Sequence, residues 1–342
     1  MHFLDIENTI ENNRSMYNIS RQDSSIIKGF LTILIVIGHN HLIAPQGSPL
    51  MLFLYTFHVM CFFILPWLYD KKKDLTLENI GTTILRAWIP YVFFFVLSLI
   101  VFMVIVRKQP DIGGIATAFV TGSQALLKEN VGFFFLWFLP TFCTFSILKL
   151  VGDKWGWVKF FIATLSICTF LFPWRDMEWM KDNLPFGIYV ALRYYIYGFI
   201  IFYLLKWRRW TKYVGAVVFL IFTWMYWNGI ISWYNIVLMP VVGFMFVLSV
   251  APIFRRQTWL QEIGKYSLPI YLLHVYVYNV IERVVPHTMI WGFVVLVLTL
   301  VLSYFISYII YKMPRLKNII FPRNVDEWKS AFYINKTFIF LV

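Results

Sequence analysis

The stretch Lys28-Gly-Phe-Leu-Thr-Ile-Leu-Ile-Val-Ile-Gly-His39 begins the first long apolar run of the chain. It opens with a cation and closes on a histidine, with no charged residue between them. Eleven residues of α-helix make three turns plus about 20°, so Lys28 and His39 share one face, roughly 16 Å apart along the axis. Because ionisable groups are costly within a bilayer, a cation and an imidazole on one face indicate a functional site.

The composition indicates a membrane protein. Of 342 residues, 60% are hydrophobic and 14% are charged, whereas soluble domains have about 45–50% apolar and about 25% charged residues. The net charge of +13 follows from the positive-inside rule, so no nucleic-acid partner is expected. Cys61, Cys143 and Cys168 fall in apolar runs without disulfide or metal-site spacing, so no metal is expected.

Hydropathy predicts ten membrane spans, several near the short limit for a bilayer about 30 Å thick. They are residues 26–44, 50–69, 82–106, 131–150, 157–173, 187–205, 211–228, 231–252, 266–282 and 290–311. With a cytoplasmic N-terminus, 22 of the 30 Lys and Arg residues fall on the inner side and six on the outer side. This bias predicts an all-α, polytopic membrane helix bundle with both termini inside.

The expected domain organisation follows from these spans. Residues 1–25 form a cytoplasmic N-terminal tail that is too long and too acidic for a signal peptide, so we expect the first helix to be retained. Residues 26–312 form the transmembrane domain, and residues 313–342 form a cytoplasmic C-terminal tail.

Ionisable residues within the predicted spans are candidate functional residues. They are His39, His41, His58, Arg86, Arg193 and His274. None of the 17 Asp and Glu residues lies deep in a span. This argues against a proton-coupled carrier built on intramembrane acids and leaves histidine as the best available base.

Each of these residues also has a structural interpretation. His39 is either functional or a neutral interfacial histidine bonded to a backbone carbonyl. His41 points nearly opposite to His39 and is better explained as interfacial than as catalytic. Lys28 is either a positive-inside anchor or one half of a phosphate site with Arg86, and Arg86 either extends to lipid headgroups or pairs with an anion.

The remaining three candidates are open in the same way. His58 could make a polar interhelical bond. Arg193 could be satisfied by tyrosine hydroxyls and rings or could contact an external acceptor. For His274 we favour a structural bond over a role in the site.

Several motifs, in order along residues 21 to about 311, resemble those of one family. These are Lys28 to His39; Phe57, His58, Phe62 and Phe63; Arg86 with Pro90; Trp137-Phe138-Leu139; Arg193 with Tyr194, Tyr195 and Gly198; and Tyr266 to His274. They are similar to the multi-pass acyltransferase-3 proteins, which include bacterial polysaccharide O-acetyltransferases. The chain departs from that family where Met60 replaces a proline, Pro66-Trp67 replace Ser-Gly and Thr83 replaces the first arginine of Arg-x-x-Arg.

The resemblance implies an acyltransferase domain of ten helices in the bacterial inner (plasma) membrane, in contact with membrane lipids. It implies acyl transfer from acyl-CoA, most often acetyl-CoA as co-substrate, to a hydroxyl of a carbohydrate acceptor, either a polysaccharide or a lipid-linked oligosaccharide. The CoA phosphates would bind near Lys28 and Arg86, and His39 would act as general base or carry the acyl group. His58 and Arg193 are second candidates for the acceptor side.

Two questions stay open at this point. No carboxylate is positioned to orient His39, so a backbone carbonyl, Asn40, or a Tyr or Ser hydroxyl must do so. The competing functions are a polysaccharide or lipid-linked glycan exporter of flippase type and a non-catalytic component of a glycan-assembly system.

Overall fold

The computed structural model describes residues 19–69, 74–106, 111–171, 177–230 and 232–332. Within these ranges the chain forms seventeen α-helices and no β-strand. The helices are α1 (Arg21–His39), α2 (Pro49–Tyr55), α3 (His58–Ile64), α4 (Leu77–Val106), α5 (Ile112–Thr121), α6 (Gln124–Val131), α7 (Phe138–Lys154), α8 (Gly156–Leu171), α9 (Met177–Asn183), α10 (Ile188–Trp207), α11 (Thr211–Trp227), α12 (Trp233–Val250), α13 (Thr258–Lys265), α14 (Ser267–Glu282), α15 (Met289–Lys312), α16 (Pro314–Ile320) and α17 (Val325–Ser330). The prediction of an all-α fold is confirmed.

Six helical segments of the described residues are long and apolar enough to cross a membrane. They are Pro49–Leu68, Leu77–Ile105, Phe134–Lys154, Pro185–Trp207, Ile236–Phe254 and Met289–Lys312. Each of the ten predicted segments contains a helix, but α1, α8, α11 and α14 are not among these six. The predicted number of ten and the cytoplasmic position of the termini are therefore not confirmed. Some cations behind that prediction, such as Lys71, lie outside the described residues.

The chain divides into two compact units. Unit 1 consists of Met1–Lys72 and Tyr194–Phe305, and unit 2 of Lys73–Arg193 and Ile306–Val342. Each unit is formed by two separate parts of the sequence. The division into two tails and a transmembrane domain stays a prediction.

Helix α1 is the central element of unit 1 and contacts α2, α3, α13 and α14. Its crossing with α13 is close enough to require two glycines. A Cβ atom on Gly29 would lie 2.2 Å from the carbonyl oxygen of Leu260, and one on Gly264 would lie 1.7 Å from that of Ser25. Since neither distance tolerates a side chain, the glycines set how closely the two helices approach.

Side chains at both ends of α1 define its length. Ser20 accepts a hydrogen bond from the backbone N–H of Asp23 at 3.0 Å, which caps the first turn. At the other end, Asn40 Oδ1 accepts the N–H groups of Leu42 and Ile43 at 3.1 and 3.3 Å. The helix therefore ends at His39, five residues before the predicted end of the first span, because these N–H groups bond to a side chain instead of continuing the helix.

The second predicted span is interrupted between α2 and α3. The Thr56 hydroxyl donates to the carbonyl of Phe53 at 2.6 Å, and Phe57 has a non-helical backbone with φ −143° and ψ −37°. A 3₁₀ turn, Leu65–Leu68, with Pro66 in its first turn, then follows α3. The interruption places Tyr55 at the end of α2 and His58 at the start of α3.

Unit 2 is organised around α4, a helix of 30 residues that contains Pro90. This helix packs against α7 and also against the two C-terminal helices, α16 and α17. Phe321, which follows α16, is buried with its ring 6.2 Å from that of Phe94 on α4. The C-terminal segment after α15 is thus a folded part of unit 2 up to residue 332.

Candidate functional site

His39, Tyr55 and His274 lie together in unit 1. The ring centroids of His39 and His274 are 5.1 Å apart, and those of His39 and Tyr55 are 5.9 Å apart in an edge-on arrangement. The hydroxyl oxygen of Tyr55 lies 3.3 Å from Nδ1 and 3.4 Å from Nε2 of His39. Three separate helices, α1, α2 and α14, therefore meet at the last residue of α1.

His58 belongs to the same cluster. Its ring centroid is 5.1 Å from that of Tyr55, and the two rings are nearly perpendicular. A Cβ atom placed on Gly38 would lie 3.3 Å from the Tyr55 ring and 3.9 Å from His58 Nε2. Because Gly38 has no side chain, both rings can approach the backbone of α1 beside His39.

Backbone carbonyls fix the orientation of two of the histidines. His274 Nδ1 donates to the carbonyl of Tyr271 at 2.5 Å, and His58 Nδ1 donates to the carbonyl of Leu54. Since a carbonyl only accepts hydrogen bonds, each neutral ring carries its proton on Nδ1 and its lone pair on Nε2. Nε2 of His58 has no hydrogen-bond partner among the described residues, although the residue is 0% exposed.

The three histidines differ in accessibility. His58 and His274 are both 0% exposed, whereas His39 is partly exposed. His39 is therefore the most exposed of the three histidines of this cluster.

Asn40 is not the residue that orients His39. Its Nδ2 donates to the carbonyl of Gly292 at 2.8 Å, and its Oδ1 accepts the backbone N–H of Leu42. The sequence left a backbone carbonyl, Asn40, or a Tyr or Ser hydroxyl as the group that orients His39. In the structure the hydroxyl of Tyr55 faces the His39 ring. Sequence reasoning did not single out Tyr55; its position three residues before His58 was the available signal.

His41 lies apart from the cluster. Its side chain is exposed, its ring centroid is 6.0 Å from that of Tyr278, and its backbone N–H donates to the Tyr278 hydroxyl at 3.0 Å. The interfacial role expected for His41 stays a prediction.

Lys28 is half-buried on α1, and its carbonyl accepts a hydrogen bond from the Thr32 hydroxyl at 2.7 Å. Because α1 is a continuous helix from Arg21 to His39, Lys28 and His39 share a helix as predicted. Arg86 lies in unit 2, whereas Lys28 lies in unit 1. Their joint phosphate site stays a prediction.

The two candidate arginines, Arg86 and Arg193, both lie in unit 2 and have partners within that unit. Arg86 Nε donates to the carbonyl of Arg323 at 2.6 Å, and the side chain is exposed. The guanidinium carbon of Arg193 lies 4.5 Å from the centroid of the Phe170 ring, which is a cation–π contact. From the sequence, tyrosines around Arg193 were one of two alternatives beside an external acceptor, and neither Arg323 nor Phe170 was named.

No group of three or more His, Cys, Asp or Glu side chains within the described ranges is arranged to hold a metal ion. The chemistry that the cluster around His39 offers is that of neutral imidazoles and a phenol. Such groups move protons to and from hydroxyls and thiols, or carry an acyl group on nitrogen.

Comparison with known proteins identifies the family. A family model described as an acyltransferase domain matches residues 22–312, which is most of the chain and includes the whole histidine cluster. No curated protein and no solved structure gives a significant match. Taken with the apolar helices, the match shows that this chain belongs to the acyltransferase-3 family and is a multi-pass membrane acyltransferase.

Proposed function

We propose that this protein is an O-acyltransferase that moves an acetyl or other short acyl group from acyl-CoA to a hydroxyl of a cell-surface or lipid-linked glycan. In this proposal acetyl-CoA is the donor, the acceptor is a polysaccharide or lipid-linked oligosaccharide, and the protein works in the bacterial inner membrane. The family membership supports acyl transfer as the reaction. The identity of donor and acceptor rests on the motifs around Lys28, His39 and Arg86.

The observation that carries the proposed chemistry is the position of His39. It is the accessible histidine of a cluster in which Tyr55 faces its ring and His274 lies beside it. A general base must reach the proton that it removes, and His58 and His274 are fully buried. His39 is therefore the proposed base, with Tyr55 as a positioning residue and His274 and His58 as buried polar neighbours.

In the proposed reaction, neutral His39 takes the proton of the acceptor hydroxyl while the oxygen attacks the thioester carbonyl. The new C–O bond forms, the C–S bond breaks, and the proton on His39 passes to the departing thiolate. The products are an ester and a free thiol, and His39 returns to its neutral form. General base catalysis of this kind contributes about 10²- to 10⁴-fold to the rate.

His39 could instead carry the acyl group. In that route the imidazole nitrogen attacks the thioester, the thiol leaves, and the acceptor hydroxyl then attacks the acyl-imidazole. A labelled acyl group bound to the protein in the absence of acceptor would distinguish this route from direct transfer. His39→Ala would abolish that label.

The donor side of the proposal rests on α1. Lys28 precedes His39 by eleven residues on one helix, a span of roughly 16 Å. If the thin arm of acyl-CoA lies along this helix, its thioester would reach His39 while its phosphates stay near Lys28. The proposed roles of Arg193, His58 and His274 on the acceptor side are secondary to this arrangement.

The test measures transfer of radiolabelled acetyl from acetyl-CoA into the carbohydrate of membranes that contain the protein. His39→Ala should lower the rate by about 10²- to 10⁴-fold. His41→Ala is the matched control, because His41 is exposed and lies beside Tyr278, and it should retain the wild-type rate. A folded, membrane-inserted His39→Ala protein with normal transfer would refute the role of His39.

A further inference from the structure

The C-terminal segment brings a second arginine to Arg86. Ile320 and Phe321 are buried, and Phe321 packs near Phe94 of α4. The chain then turns so that the carbonyl of Arg323 accepts a hydrogen bond from Arg86 Nε at 2.6 Å. Arg323 lies beyond residue 312, where the match to the acyltransferase family ends.

The fold of this segment is fixed without the side chain of Arg323. Asn324 Oδ1 accepts the N–H of Glu327 at 2.8 Å and so caps α17. The Glu327 carboxylate accepts the N–H of Arg323 at 3.0 Å and forms an ion pair with Lys317. The backbone of Arg323 is therefore held at both its N–H and its carbonyl.

The guanidinium groups of Arg86 and Arg323 keep most of their donors available. A guanidinium has five N–H groups, and Arg86 uses the one on Nε. The other four N–H groups of Arg86 have no hydrogen-bond partner within the described part of the chain. The same holds for the N–H groups of the Arg323 side chain. Both residues are exposed. Glu327, an acid in the electrostatic surroundings of Arg86, already forms an ion pair with Lys317.

We propose that Arg86 and Arg323 together form a binding site for a phosphate group. Two planar guanidinium groups can hold one phosphate through paired hydrogen bonds, and Arg323 is a second positive charge in the electrostatic surroundings of Arg86. The bound phosphate would also offset the repulsion between the two cations. This site deepens the proposed function, on which it partly rests, because the nucleotide end of acyl-CoA carries phosphates. An anionic lipid headgroup presents the same chemistry.

Arg323→Gln is the informative variant. It removes a charge and the guanidinium fork but leaves the backbone carbonyl that Arg86 binds and the N–H that Glu327 binds. The segment should therefore stay docked. Lys329→Gln is the matched control, since Lys329 is an exposed cation of the neighbouring helix α17.

The experiment measures binding of CoA and of dephospho-CoA to the full-length protein in nanodiscs of zwitterionic lipid, and retention of anionic lipid by the purified protein. If the site holds the 3′-phosphate, Arg323→Gln should weaken CoA binding about tenfold or more and leave dephospho-CoA binding unchanged. If it holds the pyrophosphate, both affinities should fall. If it holds a lipid headgroup, CoA affinities should stay the same and retained anionic lipid should fall relative to the Lys329→Gln control.

An Arg323→Gln protein with unchanged CoA, dephospho-CoA and lipid binding would overturn the proposed site. A failure of the proposed acyl transfer would be detected by the acetyl-transfer assay and not by these binding measurements. A wild-type protein that binds CoA through these arginines but transfers no acetyl group would contradict the acyl-CoA reaction and leave the phosphate site standing.

Discussion

The imidazole rings of His39 and His274 lie side by side in unit 1, with centroids 5.1 Å apart and ring planes tilted by 49°. His39 is the last residue of α1, and His274 lies in the middle of α14, which packs along α1. The bond that sequence analysis favoured for His274 is present, since Nδ1 donates to the carbonyl of Tyr271. The same bond directs the rest of the ring into the neighbourhood of His39.

His274→Asn separates the structural bond of His274 from a role in the reaction. An asparagine amide can donate to the Tyr271 carbonyl as Nδ1 does, but it removes the rest of the imidazole beside His39. We expect kcat for acetyl transfer to fall by up to about a hundredfold, because His39 loses the ring that packs beside it and its position shifts. KM for acetyl-CoA and membrane insertion should stay unchanged. His287→Asn, at an exposed position of the same unit, is the control. Normal kcat in His274→Asn would mean that only the structural bond matters.

Tyr55→Phe tests the positioning of His39. The substitution removes the hydroxyl that lies 3.3 and 3.4 Å from the two His39 nitrogens and keeps the ring. Because one such hydrogen bond contributes about 0.5–1.5 kcal/mol, the rate should fall about three- to tenfold. Tyr69→Phe removes a hydroxyl that bonds Ser24 at 2.7 Å elsewhere in unit 1 and should leave the rate unchanged. Equal rates for the two variants would argue against positioning by Tyr55.

Gly264→Ala should destabilise unit 1. The added Cβ atom would lie 1.7 Å from the carbonyl oxygen of Ser25, so α1 and α13 must separate. Overpacking of this kind costs about 1–3 kcal/mol or more, which thermal unfolding in detergent would detect. Gly81→Ala, on α4, meets no atom within 4 Å and should be neutral or slightly stabilising, because alanine favours helix. A Gly264→Ala protein as stable as Gly81→Ala would contradict the close crossing.

The ion pair of Asp23 and Arg255 predicts a pH dependence of stability. Arg255 donates to both carboxylate oxygens at 2.7 Å, and these bonds hold the pKa of Asp23 below its usual value of 3.8. A carboxylate with a lowered pKa stabilises the folded state above its unfolded pKa and loses that contribution as pH falls through its folded pKa.

Asp23→Asn should therefore lower the free energy of unfolding by roughly 1.5–3 kcal/mol at pH 7. The difference from wild type should shrink below about pH 4, as the wild-type carboxyl becomes protonated. Thermal unfolding at a series of pH values checks this. A difference that stays constant between pH 7 and pH 3 would show that the charge of Asp23 does not contribute.

Much of the fold class and one end of the site were predictable from local sequence. An apolar composition with so few charges requires a membrane, and apolar runs of this length require helices because the bilayer leaves no other way to satisfy backbone groups. The spacing of Lys28 and His39 places them on one face of a helix, and that depends only on helix periodicity. The order of the family motifs along the chain predicted acyl transfer as the reaction, and the family match agrees with this.

Tertiary structure decided the rest, because it depends on contacts between residues that are far apart in sequence. The break between Tyr55 and His58, the end of α1 at His39 and the docking of Arg323 on Arg86 arise from individual hydrogen bonds, to which hydropathy is insensitive. Likewise, nothing in the spacing of His39 and His274 indicates that their rings meet. That contact exists because α14 packs along α1, and packing between helices is set by the shape of whole faces rather than by any local pattern.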